Sequence, residues 1–366
     1  MVLGLLKEGD PENRVAILPE IIEQFIRLGF KVLVESGAGV NALSPDEDYI
    51  KAGAEIRSKV KLVKESDLVV KINPPSDDEI AFLSEGKIFI SLLQPYTFPE
   101  KIEKFKEQKV TAISLEKIPR TSRAQMMDVL SSQASAAGYK AVIIAAANLS
   151  KFFPMFTTAA GSIKPTKVLI LGAGVAGLQA IATAKRLGGI VEVFDTRPAV
   201  KEEVKSLGAK FIEVEGAADA TGAGGYAVEQ SEEYKAKQTA MIAEHSVNAD
   251  LIITTAQIPG KKAPILITNE TISKMKPGSV IIDLAASTGG NTEFTKDGET
   301  IMQNGVKIIG NSNLPSTMPY DSSKMFGKNL LSLIKLLVKD GKIVLNFDDD
   351  IIKASVVTHG GELINM

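Results

Sequence analysis

The run KVLILGAGVAGLQA, residues 167–180, constrains this chain more than any other stretch. Lys167–Leu171 has the length and apolar content of a buried strand. Gly172, Gly174 and Gly177 follow in a G-x-G-x-x-G spacing at the start of a helical stretch. Gly172 permits a tight turn, Gly174 lets the main chain approach a ligand, and Gly177 lets helix and strand pack closely. The helix N-terminus offers unpaired N–H groups and a partial positive charge, which suits a pyrophosphate. A lone glycine motif is weak evidence, but here the next strand, Ile190–Phe194, leads into Asp195. That is about the ~20-residue spacing at which an acid meets ribose hydroxyls. The expected ligand is a dinucleotide, and a carboxylate at Asp195 favours NAD(H) by repelling a 2′-phosphate. Arg197 can hold such a phosphate, stack on adenine or remain solvated. Val175 in the turn, Thr196 beside Asp195, and Gln238 farther along complete the cofactor-binding set around this motif.

Short apolar runs alternate with helical stretches along most of the chain, the pattern of parallel sheets with crossover helices. Strands are expected at Val2–Leu6, Lys31–Glu35, Leu68–Lys71, Lys87–Ser91 and Val110–Ser114, with helices at Pro19–Leu28, Asp46–Ala52 and Pro99–Glu107 between them. A second series runs through Lys167–Leu171, Ile190–Phe194, Lys210–Val214, Leu251–Thr254, Ser279–Asp283 and Val306–Ile309. Ser122–Asn148 contains no glycine or proline except Gly138 and reads as one long helix. A second helix, Asp321–Lys339, is expected to return the chain to the first domain. The fold class is therefore α/β: two Rossmann-like parallel-sheet domains joined by a long helix, with the cofactor in the cleft. The expected limits are 1–125 plus 321–366, a linking helix 126–148, and an NAD(H)-binding domain 149–320. Two loops at strand ends are further candidates: TTAQIPGKKAP with Gln257, and DLAASTGGN with Asp283 and the Gly289–Gly290 pair.

Composition removes other chemistries. The chain has 366 residues, no cysteine, two histidines and a formal charge of −2. Thiolate and histidine-cluster metal sites are excluded, no metal is expected, and no basic excess suggests nucleic acid. No apolar run approaches the ~20 residues of a membrane span. The acidic run Asp348–Asp350 reads as a solvated turn.

The segment IPRTSRAQMMDVLSSQASAAGYKAV resembles the hallmark of domain I of proton-translocating NAD(P) transhydrogenases. LKEGDPENRVAILPE, the glycine segment and KPGSVIIDLA…GGN extend the resemblance over nearly the whole chain. It implies that Arg120, Gln125 and Asp128, with Ser131 one turn on, hold the nicotinamide end of NAD(H). Gln125 can pair with a carboxamide as donor and acceptor, and Arg120 can grip an anion in a forked geometry. On a continuous helix Gln125, Asp128 and Ser131 would lie close to one face. The resemblance also implies a mobile loop at Gly216–Gln230 that closes over the nucleotide, with Gly225 and Tyr226 contacting it. It implies a homodimer, an NADP(H)-binding component on another polypeptide, and a membrane-spanning component. The chain would then be cytoplasmic and peripheral on the inner face of the membrane through those partners, or in the mitochondrial matrix if organellar.

Alanine dehydrogenase is the nearest competing family, sharing Glu12-Asn13-Arg14-Val15 and Lys71. Amino-acid oxidation moves protons as well as hydride. Where that family has its histidine and aspartate, this chain has Leu93–Gln94 and Ser287, none of which is a general base near neutral pH. Arg14 and Lys71 are then expected to be structural. Three readings stay open: a transhydrogenase component, a free-standing amino-acid dehydrogenase, and a non-catalytic NAD-sensing module. The Gln125 constellation argues against the third, and the missing acid and base against the second.

Overall fold

The computed structural model describes residues 1–214, 231–258 and 260–365. The chain forms two compact units, Met1–Gln133 with Pro315–Met366, and Ala134–Leu314. In the first unit an eight-stranded sheet holds Val2–Leu5, Lys31–Glu35, Glu55–Arg57, Leu68–Val70, Ile88–Ser91 and Thr111–Ser114 in parallel. Numbered along the chain, these six lie in the order 3-2-1-4-5-6. Val356–His359 and Glu362–Leu363 extend the sheet antiparallel beyond Thr111–Ser114. Strand residues alternate between two cores. Val32 and Val34 join Phe25, Tyr49 and Phe326 on one face, while Leu33 joins Leu62, Phe89 and Phe105 on the other. Both faces are thus covered by helices, the arrangement a parallel sheet requires.

The second unit repeats the order. Lys167–Leu171, Ile190–Phe194, Lys210–Phe211, Leu251–Thr254, Val280–Asp283 and Val306–Gly310 are again 3-2-1-4-5-6, with antiparallel Thr300–Gln303 on the edge. Val168 and Ile170 face one core, Leu169 and Leu171 the other. In such sheets the chain reverses its winding between strands 1 and 4, and ligands bind outside the carboxyl ends there.

The expected Ser122–Asn148 helix is corrected. Ser122–Met127 is a 3-10 helix, Asp128 leaves helical geometry at ψ 89°, and the α-helix is Val129–Asn148. The Asp128 carboxylate accepts the Ser131 N–H at 2.9 Å, so this side chain starts the helix by capping it. Glycine and proline are not the sole interruptions to a helix; a short acidic side chain competes for the same N–H groups. The division between units falls inside the helix, after Gln133. Its later part packs Ala141, Val142 and Ala145 into the second unit's core. Gly138 is explained by close approach: a Cβ there would lie 2.1 Å from the Ala176 carbonyl oxygen.

The returning helix is Pro319–Leu337. The acidic run is no plain solvated turn. Asp349 caps helix Asp350–Ser355, and Arg123 donates to both Asp349 and Asp350. Strand Glu55–Arg57, helices Lys59–Glu65 and Asp77–Ala81, and hairpin Phe156–Thr158/Gly161–Ile163 are additions to the sequence expectation. The Asp77–Ala81 helix had a readable sign, because Ser76 and Glu79 form a capping box. Among the described residues, no helix is long and apolar enough to cross a membrane.

Candidate functional site

At the second unit's switch point the glycines behave as their spacing requires. Gly172 has φ +105°, and a Cβ on it would stand 2.3 Å from Thr255 Oγ1. A Cβ on Gly177 would stand 1.9 Å from the Gly172 carbonyl oxygen, so this position is closed to any side chain. Gly174 differs: among the described residues, nothing lies within 4 Å of where its Cβ would be. It precedes Val175–Arg186, a helix of 12 residues whose first N–H groups lack intrahelical partners. A tight turn with open space over Gly174 fits a pyrophosphate. Val175 is the first residue of that helix, and exposed.

Asp195 stands beside this turn and is fully engaged. Its Oδ2 accepts the Ala173 N–H at 2.7 Å and an Arg197 Nη at 2.8 Å; its Oδ1 accepts the Arg197 N–H at 2.8 Å and Nε at 2.9 Å. Arg197 is therefore ion-paired rather than solvated, and the carboxylate's hydrogen bonds raise the guanidinium pKa further. Thr196, between them, is half-buried. Gln238 lies half-buried on helix Glu232–Asn248. Gln257 is exposed at the loop after Leu251–Thr254 and donates to the Leu284 carbonyl at 3.1 Å. Gly225, Tyr226 and the rest of the expected mobile loop, with Glu215, fall outside the described residues, as does Pro259.

Asp283 is wholly buried and organises its own loop, accepting from Ala285 N, Asn291 N and Thr295 Oγ1. The sequence reading passed over Asn291, whose side chain donates to the Ala256 and Pro264 carbonyls and accepts the Ala256 N–H. It ties the two candidate loops of the second unit together. Its sign was the asparagine closing the GGN triplet.

In the first unit, Arg120, Gln125, Asp128 and Ser131 all line one recess of about 210 Å³, with Pro119, Thr121 and Ala124. They converge for a reason other than a shared helix face. The 3-10 turn carries Gln125, Asp128 breaks and caps, and Ser131 Oγ donates to Asp128 Oδ2 at 2.6 Å. Gln125 is exposed and Asp128 half-buried. Neither histidine lines this recess. His245 Nδ1 pairs with Glu192 at 2.7 Å and His359 Nδ1 with Thr111 Oγ1 at 2.9 Å. Where the competing family has its histidine, Gln94 sits at φ +50°, and the Leu93 and Gln94 N–H groups donate to Glu116. Burial pushes the Glu116 carboxyl pKa up.

Arg14 and Lys71 are buried and paired. Arg14 holds Glu12 through Nε at 2.8 Å and an Nη at 2.7 Å; Lys71 Nζ holds Glu79 at 2.8 and 3.0 Å. Burial pushes Glu12 upward, but the Arg14 hydrogen bonds and charge win and hold it at about 2. Nearby Glu8 accepts from Ile72 N and Asn73, and burial carries it to about 7 despite the Lys71 charge.

Family models match the two portions of the chain: the alanine dehydrogenase/PNT N-terminal domain over residues 4–137 and its C-terminal domain over 141–366. The chain belongs to the alanine dehydrogenase/PNT family. Within the family it is more similar to transhydrogenase subunits. It is 46% identical to the first part of the NAD(P) transhydrogenase subunit alpha of Rhodospirillum rubrum, over all of this chain and 98% of that one. It is 44% identical to NAD(P) transhydrogenase subunit alpha of Haemophilus influenzae, over all of this chain and 72% of that one. Identity to the alanine dehydrogenase of Bacillus subtilis is 29%, over 99% of this chain and 92% of that one. The crystal structure of a transhydrogenase from Sinorhizobium meliloti superposes with a TM-score of 0.91 at 42% identity, each chain covered in full. The alanine dehydrogenase/PNT fold is also that of a solved L-alanine dehydrogenase, TM-score 0.84 at 24% identity, covering all of this chain and 97% of that one.

Proposed function

We propose that this chain binds NAD(H) and exchanges hydride with NADP(H) carried by another component of a proton-translocating NAD(P) transhydrogenase, of the Si-specific/Re-specific type. The observation that carries this reading is the gathering of Arg120, Gln125, Asp128 and Ser131 around one recess. Bound nicotinamide cofactors supply the chemistry, a hydride passing between two C4 atoms. The residues bind and align. The Gly172–Gly177 turn and the N-terminus of Val175–Arg186 take the pyrophosphate. Asp195 and Thr196 take the ribose side, Arg197 moving off Asp195 to free its lone pairs. Gln238, Gln257, Gly225 and Tyr226 add contacts. Gln125 offers a donor and an acceptor to the carboxamide, and Arg120 offers a forked cation. Asp128, held by Ser131, orients the same end.

No proton has to move at the reacting atoms, which suits a chain with Leu93, Gln94 and Ser287 where a dehydrogenase needs acid and base. The relatives' names, as alpha subunits or portions of them, support an NADP(H)-binding component and a membrane-spanning one as partners. The chain would work peripherally at the inner, cytoplasmic face of a membrane, or in the mitochondrial matrix if organellar. The Phe156–Ile163 hairpin supports a homodimer: Phe152 and Phe156 stack at 4.5 Å, and both are exposed with Met155 and Ile163.

The test is a spectrophotometric hydride-transfer assay on the purified chain, with and without a transhydrogenase NADP(H)-binding component. Transfer that needs both NADP(H) and that component is expected. NAD reduction by alanine without a partner would overturn the reading. Gln125→Ala should keep NADH binding and slow transfer; an unchanged rate removes Gln125 from the alignment.

A further inference from the structure

The N-terminal end of helix Val129–Asn148 has two faces. One carries Ser131, bonded to Asp128 at the recess. Gln133 comes two residues later, about 200° round the axis at ~100° per residue. Its side chain points the other way, into a buried polar network. Gln133 Oε1 accepts an Arg14 Nη–H at 2.6 Å, and Gln133 Nε2 donates to the Ser322 carbonyl at 3.0 Å. Arg14 is in turn clamped by Glu12, and Glu12 accepts from Asn73 Nδ2 at 3.3 Å. Asn13 and Val15, on either side of Arg14, donate to Ser316 and Ser323. The network is thus anchored to strand ends of the first unit's sheet and to the Pro319–Leu337 helix and the turn before it. Every one of these bonds lies within the first unit.

Apolar packing tolerates small slips and rotations, whereas a forked guanidinium and an amide bonded on both sides do not. A rotation of this end would swing Asp128 and Ser131 together, because their mutual bonds move as one piece.

We propose that Arg14 and Gln133 are a positioning pair, fixing the rotation of the helix's N-terminal end and with it the aim of Asp128 and Ser131 into the recess. This rests on the transhydrogenase reading for its kinetic consequence and on geometry alone for its structural one. Neither residue lines the recess. Both act through Asp128 and Ser131.

Gln133→Met tests it, since methionine fills similar space and cannot accept from Arg14. With the NADP(H)-binding component present, kcat for hydride transfer should fall roughly tenfold while the KM for NADH stays within about twofold, as misalignment without lost binding requires. Gln133→Glu keeps the acceptor for Arg14 but loses the donor to the Ser322 carbonyl, so it should restore the rate in part. Ile334→Val, a core change in the same unit, provides a variant of reduced stability and should leave kcat unchanged. Adding Ser131→Ala to Gln133→Met should cost less than the two losses multiplied, because both act through one element. Amide exchange gives the second readout: the Ser131 N–H should exchange faster in Gln133→Met, and not in Ile334→Val.

Unchanged Ser131 exchange overturns the proposal, as does a kcat loss that Gln133→Glu fails to rescue. If the unaltered chain transfers no hydride to NADP+ with its partner, the functional reading fails instead, and the exchange measurement still decides whether Gln133 holds this end of the helix.

Discussion

Both units wind their six parallel strands in the order 3-2-1-4-5-6, so each has a switch point between its first and fourth strands. The two points are filled in opposite ways. In the second unit, Gly172, Gly174 and Gly177 follow strand one, and Thr255 and Gln257 follow strand four. Around Gly174 that edge is main chain with no described residue close by, and the Asp195–Arg197 pair stands beside it. In the first unit, Glu8, Glu12 and Arg14 follow strand one, Lys71 and Asn73 follow strand four, and Glu79 lies beyond. Apart from Asn73 these are buried, bonded chiefly to one another, and leave the recess to the Pro119–Ser131 segment. One topology thus yields an open cradle in one place and a filled brace in the other. Topology sets where a ligand can bind, and side chains decide whether it does.

The largest expected effect tests the brace. Glu12→Leu strands a buried guanidinium and should cost about 3–5 kcal/mol, read as a drop in denaturant midpoint. Adding Arg14→Met removes the stranded charge and should recover most of that loss. A double variant no better than the single would mean that lost packing and hydrogen bonds, and not the stranded charge, cause the loss.

Next comes the cradle's closed glycine. Gly177→Ala forces a Cβ to within 1.9 Å of a carbonyl oxygen, so strand and helix must separate. A loss of about 3 kcal/mol is expected from such overpacking. An unchanged melting temperature would show that the turn can relax, and that the second switch point is softer than the first.

The third prediction uses pH to separate the carboxylates of the brace. Glu8 has an ordinary value of 4.5 and a folded value of about 7. Between those limits the folded chain binds the proton more tightly, so this stability is complete below about pH 4.5 and is lost as pH rises through 7. Glu12, held at about 2, runs the other way: its contribution is present above 4.5 and lost as pH falls toward 2. Glu8→Gln should therefore stabilise the chain by about 3 kcal/mol at pH 8 and hardly at all at pH 4. Equal effects at both pH values would remove burial as the cause.

The contrast also explains what the sequence could disclose. The cradle was legible because its physics is local: three glycines, a strand before and an acid after, all within 29 residues. Five of the second unit's six parallel strands were located within a residue at either end, since buried apolar runs bounded by turns leave little choice. Lys210–Phe211 is the shorter exception. The brace was not legible. Arg14 meets Gln133 across 119 positions, and Asn13 meets Ser316 across 303. Nothing in the spacing of either pair announces it. Gln125, Asp128 and Ser131 fall between these cases. Their gathering was anticipated, but from a continuous helix that does not exist; Asp128 both breaks the helix and aims the residue after the break.

The smallest expected effect separates a cradle from a merely tight turn. Gly174→Ala adds a methyl where, among the described residues, nothing lies within 4 Å to clash with it. Gly174 also adopts an extended conformation, φ −75° and ψ −171°, that alanine accepts without strain. Stability should stay within about 0.5 kcal/mol of the unaltered chain, as for surface changes without a special mechanism. A ligand pyrophosphate would meet the methyl, because the second glycine of this motif serves close main-chain approach. NADH affinity, followed by fluorescence titration, should then weaken by roughly tenfold, about 1.4 kcal/mol. A loss of stability with affinity retained would make Gly174 a packing residue and move the pyrophosphate elsewhere. A loss of affinity alone would mean that the space above it is kept open for the ligand.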